Sequence, residues 1–104
     1  MDTLEDRKAE DILLLDIHET SDFTDYFIIC TGTTDRMINA LADAVVDKVR
    51  DVYRLKGRRE GEAQEGWLLL DFGDIVVHLF APERREYYRL EELWSQGRVL
   101  LHLQ

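Results

Sequence analysis

The sequence predicts a single domain of the α/β (α+β) class, a mixed β-sheet packed with helices. Three observations lead there. Residues 67–80 read as one β-hairpin, residues 12–17 and 26–31 are apolar runs of strand length, and residues 35–55 carry apolar positions at helical spacing. At 104 residues, 45% of them apolar, the chain can bury one core without disulfide or metal, but not two.

Residues 2–9 are charged and free of glycine, with Leu4 the only large apolar residue, which suits a short, weakly held helix leading into a strand. Residues 12–17 are apolar on both alternating faces except at Asp16, the pattern of a central strand covered on each side. A polar connection over 18–24 leads to the second strand, 26–31. Gly32 then permits a tight turn, and Thr33 or Thr34 can cap the following helix. Along 35–55, Ile38, Leu41, Val45, Val49 and Val52 form one apolar stripe, and Gly57 is a natural terminator. Residues 58–66 are polar and read as a loop. Pro82 suits the first position of a helix over 82–95, with Tyr87, Leu90 and Trp94 on one face, and residues 99–103 can add a last edge strand.

The hairpin is the most specific element. Its strands, 67–72 and 75–80, flank Gly73-Asp74, a Gly-first loop suited to a type II′ turn. That turn sets Phe72 opposite Ile75, Leu70 opposite Val77 and Leu68 opposite Leu79, an apolar side for helices to cover. The other side pairs Trp67 with Phe80, Leu69 with His78 and Asp71 with Val76. Aromatic anchors with sparse polar groups have the composition of a protein interface core. Coverage by another helix of the same domain is the alternative, but a buried Asp71 or His78 then needs a partner. The expectation is a partner-facing side left open.

Charge narrows the partner. The net charge of −9 opposes extensive direct nucleic-acid contact, because that affinity comes largely from Lys and Arg. Residues 48–59 hold six basic residues against one acid, a net of +5 that leaves −14 for the rest of the chain. An acidic body suits a basic protein partner, while cations closing a helix also satisfy its dipole. No apolar run reaches membrane-spanning length and no signal peptide is read, so a cytoplasmic location is expected.

Sites for catalysis are weak. The turn at 31–35 offers backbone N–H groups at a helix start but lacks the P-loop Lys, and its Thr residues are explained as caps. Asp71 and Asp74 are three apart, which puts them on opposite faces of a strand and prevents a joint metal clamp. His18, His78 and His102 have no Cys or His at ligand spacing, and Cys30, inside an apolar strand, reads as a small buried hydrophobe. No catalytic residue, metal or cofactor is expected.

Four segments carry a resemblance: SDFTDYFIICTGTTDR at 21–36, EG at 60–61, GWLLLDFGDIVVHLF at 66–80 and YYRLEELW at 87–94. In order and spacing they resemble the ribosomal silencing factor (Iojap) family over about residues 10–94, leaving 95–104 as a C-terminal extension. The resemblance implies a nucleotidyltransferase-like fold without that fold's metal-binding carboxylates. It implies binding to large-subunit ribosomal protein fourteen on the large ribosomal subunit, where occupancy blocks joining of the small subunit and represses translation. Its organelle members imply large-subunit assembly as an alternative; an active nucleotide-binding enzyme is the third reading. Trp67, Asp71, His78 and Tyr88 fall on the family's conserved positions, and with Leu69 and Phe80 they make up the expected partner-binding set. The 97–104 tail admits a strand, a homodimer contact or a cover over the partner face.

Overall fold

The alternation of apolar side chains along four consecutive strands builds two core layers, one on each side of a single sheet. The computed structural model describes residues 4, 9–17, 24–88 and 98–103. Its strands are β1 (Glu10–Asp16), β2 (Tyr26–Thr31), β3 (Arg58–Glu62), β4 (Trp67–Asp71), β5 (Ile75–Phe80) and β6 (Arg98–Leu103). Helix α1 spans Asp35–Tyr53, helix α2 spans Pro82–Tyr88, and a 3₁₀ turn covers Ala63–Glu65. The strands lie side by side in the order β3-β4-β5-β2-β1-β6. Only the β2–β5 pair is parallel; the other four neighbours run antiparallel.

Beneath α1, Leu68, Leu70, Val77, Leu79, Ile28 and Cys30 meet Ile38, Leu41, Ala42 and Val45 of the helix. On the opposite side Leu13, Leu15, Ile17, Phe27, Ile29, Val76 and Phe80 form a second cluster, with Trp67 and Leu69 packed against it. Strand β1 contributes to both, as its two-sided apolar pattern predicts. The tail does add a strand: β6 pairs with β1 and closes that edge.

Three expectations change. Helix α1 begins as expected, with Thr34 Oγ1 accepting the Met37 N–H at 3.1 Å, but it stops at Tyr53. Arg54 takes the left-handed conformation there (φ 59°) and returns its N–H to the Arg50 carbonyl, so the helix ends four residues before Gly57. Gly57 has a different task, since a Cβ on it would lie 2.4 Å from the Phe72 ring. Residues 58–66 are not a loop: β3 pairs along β4 from Arg58 opposite Asp71 to Glu62 opposite Trp67. All five β3 residues are exposed, so the strand has no apolar alternation and is charged in the way edges commonly are. The expected 82–95 helix is described as far as Tyr88. The positions of Leu90 and Trp94, the side chains of Tyr87 and Tyr88, most of 2–9 and all of 18–23 lie outside the described residues.

A buried cation ties α2 to the sheet. Arg85 Nη1 donates to the Asp11 carbonyl and, at 3.0 Å, to Thr31 Oγ1, while Nη2 lies 3.5 Å from the Asp11 carboxylate. Asp11 sits at positive φ (49°), where the β1–β2 register slips between Glu10 and Leu13. That irregularity turns its carbonyl toward Arg85 and away from the ladder. Arg85→Ala should therefore lower unfolding free energy by about 2–3 kcal/mol, the scale for losing hydrogen bonds to a charged buried group. Arg85→Lys should recover only part of this because it cannot reproduce the fork. Urea titrations of the three proteins measure both effects.

Candidate protein-interaction face

The β4–β5 register is the one read from the turn. Trp67 lies opposite Phe80, Leu68 opposite Leu79, Leu69 opposite His78, Leu70 opposite Val77 and Asp71 opposite Val76. Gly73 adopts φ 91°, which suits glycine, and Phe72 N–H closes on the Ile75 carbonyl at 2.9 Å. Asp71 Oδ1 accepts the Gly73 N–H at 2.8 Å, so one carboxylate oxygen shapes the turn.

Four rings gather on the side away from α1. Trp67 stacks on Phe80 with centroids 5.0 Å apart and planes at 28°, and its Nε1 donates to His78 Nδ1 at 3.2 Å. Phe27 meets the His78 ring edge-on at 4.6 Å. This common side was expected; its openness was not correctly anticipated. His78 is 4% exposed and Phe80 is fully buried, whereas Trp67, Leu69 and Asp71 remain partly accessible. The difference follows from position in the sheet. Strand β5 is interior, between β4 and β2, and both of its faces are packed, while β4 is one strand from the edge. His78 and Phe80 are thus buried supports beneath Trp67.

The accessible part extends where sequence reasoning saw a loop. Residues opposite one another in an antiparallel pair share a face, so Glu62 stands beside Trp67, Glu60 beside Leu69 and Arg58 beside Asp71. Glu60, Gly61, Glu65, Trp67, Leu69 and Arg84 line a groove of about 360 Å³. Gly61, at φ 85°, lets the strands approach: a Cβ there would meet the Trp67 carbonyl oxygen at 2.5 Å. Glu60, Glu62, Glu65 and Arg84 were missed by sequence reasoning. The available signals were the Glu60-Gly61 segment of the resemblance and the alternation of Arg58, Glu60 and Glu62 on one face. Tyr88 belongs to α2, with its side chain outside the described residues.

Other sequence candidates resolve as structure. Burial raises the Cys30 thiol pKa to about 12, against a smaller opposing effect of Arg85, so the sulfur stays protonated within its strand. Asp74 lies in the hairpin turn, and its backbone carbonyl accepts the N–H groups of Asp25 and Tyr26 and the Thr24 hydroxyl. Among the described residues, no group of three or more His, Cys, Asp or Glu is arranged to hold a metal ion. No described helix is long and apolar enough to cross a membrane.

Burial lowers the His78 pKa from 6.5 to about 4, so the ring is neutral at pH 7. With Nδ1 accepting from Trp67, the proton resides on Nε2, which is buried without a hydrogen-bond partner among the described residues. Protonating Nδ1 would bury a charge and abolish the Trp67 bond together. Because the unfolded chain binds the proton more readily, this contribution to stability is complete above pH 6.5 and is lost as pH falls toward 4. The loss should total about 3 kcal/mol. Denaturation measured across that window should show the slope, and His78→Leu should remove it.

A family model described as "Ribosomal silencing factor during starvation" matches residues 1–103. Ribosomal silencing factor RsfS of Bacillus subtilis is 41% identical over 93 residues, covering 89% of this chain and 79% of that protein. The mouse protein named "Mitochondrial assembly of ribosomal large subunit protein 1" is 37% identical over 98 residues, covering 88% of this chain and 42% of its own length. A crystal structure of a Chromobacterium violaceum protein superposes with a TM-score of 0.85 at 36% identity, over 90% of this chain and 78% of that one. The two-layered sheet and these matched residues together place the chain in the ribosomal silencing factor family.

Proposed function

We propose that the chain is a non-catalytic binding module that docks on large-subunit ribosomal protein fourteen and sterically prevents the small subunit from joining. The observation that carries this reading is the partly exposed Trp67–Leu69 pair within a groove bearing Glu60 and Glu65, with Glu62 beside it on β3. An indole held by a stack and a hydrogen bond loses little freedom on binding, and truncating such an anchor commonly costs about 2 kcal/mol or more. The acidic rim suits a basic ribosomal protein and would speed encounter at low salt. An interface of ordinary size buries roughly 800 Å² per partner, more than this groove alone offers, so contact extends over the β3–β4 surface.

The nucleotidyltransferase-like resemblance belongs to this proposal as scaffold ancestry, without catalysis. Asp71 ends β4 and accepts a turn N–H, while Asp74 sits within the turn, so the two do not stand at alternate positions of one strand as a joint metal clamp would need. A second reading is supported by the mouse relative's name, which assigns that protein to large-subunit assembly. A factor that covers a joining surface can do so on an immature subunit too. Depletion that accumulates precursor particles, without excess joined ribosomes, would favour assembly.

Trp67→Ala is a compromised test because it also strips the cover from Phe80 and the hydrogen bond from His78. Charge reversal on the exposed rim avoids this. In sucrose-gradient sedimentation of purified subunits, the wild-type chain should reduce joined ribosomes, and Glu60→Arg with Glu65→Arg should restore them. Unchanged joining with the wild-type chain, or equal inhibition by the folded double variant, would overturn the proposed interface.

A further inference from the structure

The stripe of α1 runs past the sheet. Ile38, Leu41 and Val45 are buried, but further along Val52 is 53% exposed, Tyr53 67% and Leu55, just beyond the helix, 50%. Ile75, beside the hairpin turn, is also exposed. These are four of the five large hydrophobic residues exposed among the described residues, and all four line one groove of about 590 Å³ between the end of α1 and the turn end of β4–β5. Val49 and Phe72 contribute to its walls. The groove lies on the α1 side of the sheet, opposite Trp67.

Its surroundings are basic. Lys48 lines the groove, and Arg54 and Lys56 flank Leu55; all three are exposed and have no ion-pair partner among the described residues. Neighbouring cations are occupied: Arg50 contacts Asp47 and Asp51, Arg58 contacts Glu60, and Arg59 contacts Asp43. Asp74 is the acid in the lining. The helix dipole accounts for cations near the end of α1, but not for the exposed apolar side chains among them.

We propose that this groove docks an acidic amphipathic helix of a partner protein, independently of the Trp67 face. The aliphatic floor takes apolar residues spaced at i, i+3 or i+4 and i+7, and the unpaired cations take flanking carboxylates. Charge complementarity selects this occupant. Two copies meeting symmetrically through the groove would set Lys48, Arg54 and Lys56 against their own equivalents. An RNA strand would find phosphate-binding cations, but Val49, Val52, Leu55 and Ile75 provide no partner for its backbone.

The test uses the full chain, labelled with ¹⁵N. The probe is a designed peptide of roughly 18 residues, about five helical turns, with leucines at the stated spacing and glutamates flanking them. The acidic peptide should shift amide signals over residues 49–56 and 74–76 while leaving the Trp67 indole signal in place. Lys48→Glu with Lys56→Glu should weaken binding by about ten-fold or more, and Val52→Asp should weaken it comparably. Absence of shifts in these segments, equal binding of a peptide with lysines replacing the glutamates, or tighter binding of oligouridylate would overturn the proposal. So would sedimentation equilibrium showing a dimer that Val52→Asp disperses. Folding of each variant is checked by its amide spectrum, and the unmodified chain tests the proposal without any substitution.

Discussion

The antiparallel pairing of β4 with β5 is the constraint on which the candidate face depends. Once Gly73 closes the turn, Trp67 stands over Phe80 and its indole reaches His78. A slip of one residue would send Trp67 and Leu69 into the α1 layer and bring Leu68 and Leu70 outward. All four apolar side chains of β4 would then exchange environments at once, so burial itself enforces the register. The candidate face is thereby positioned by core packing.

The sheet also separates support from contact. Parallel pairing with β2 holds β5 inside the sheet, and the second cluster seals Phe80 while Phe27 closes on His78. Strand β4 rises from this packed base toward the edge, leaving its outer side chains partly open. A buried imidazole whose Nε2–H has no partner among the described residues is costly compared with an aliphatic residue. Its compensating role is directional: it fixes the indole by a hydrogen bond that Leu or Val could not supply. Arg85 acts similarly at the Thr31 end of β2, where its guanidinium fastens α2 to β1 and β2.

Much of the architecture was legible because the elements announce themselves through apolar periodicity. Strands β1, β2, β4 and β5, the start of α1 and the hairpin register all followed from spacing, turn residues and caps. Strand β3 did not, because its side chains are exposed and charged, so its membership of the sheet depends on backbone pairing that leaves no apolar pattern. The end of α1 was similarly hidden: an arginine in the left-handed conformation has no compositional mark, and Gly57 was a misleading one. At the candidate site, the common side of Trp67, His78 and Phe80 was readable from alternation. Their unequal burial was not, since it depends on which strand lies beside which.

Strand β3 has a consequence for how recognition can occur. Its bristling border of arginine and glutamate discourages a foreign strand from annealing to the rim, although main-chain groups there face outward. Under the proposed docking, a visitor to the tryptophan surface would be judged by the contour and electrostatic pattern of its own side chains. Backbone zippering, which accepts almost any extended polypeptide, is disfavoured at this border, so discrimination rests with residue identity.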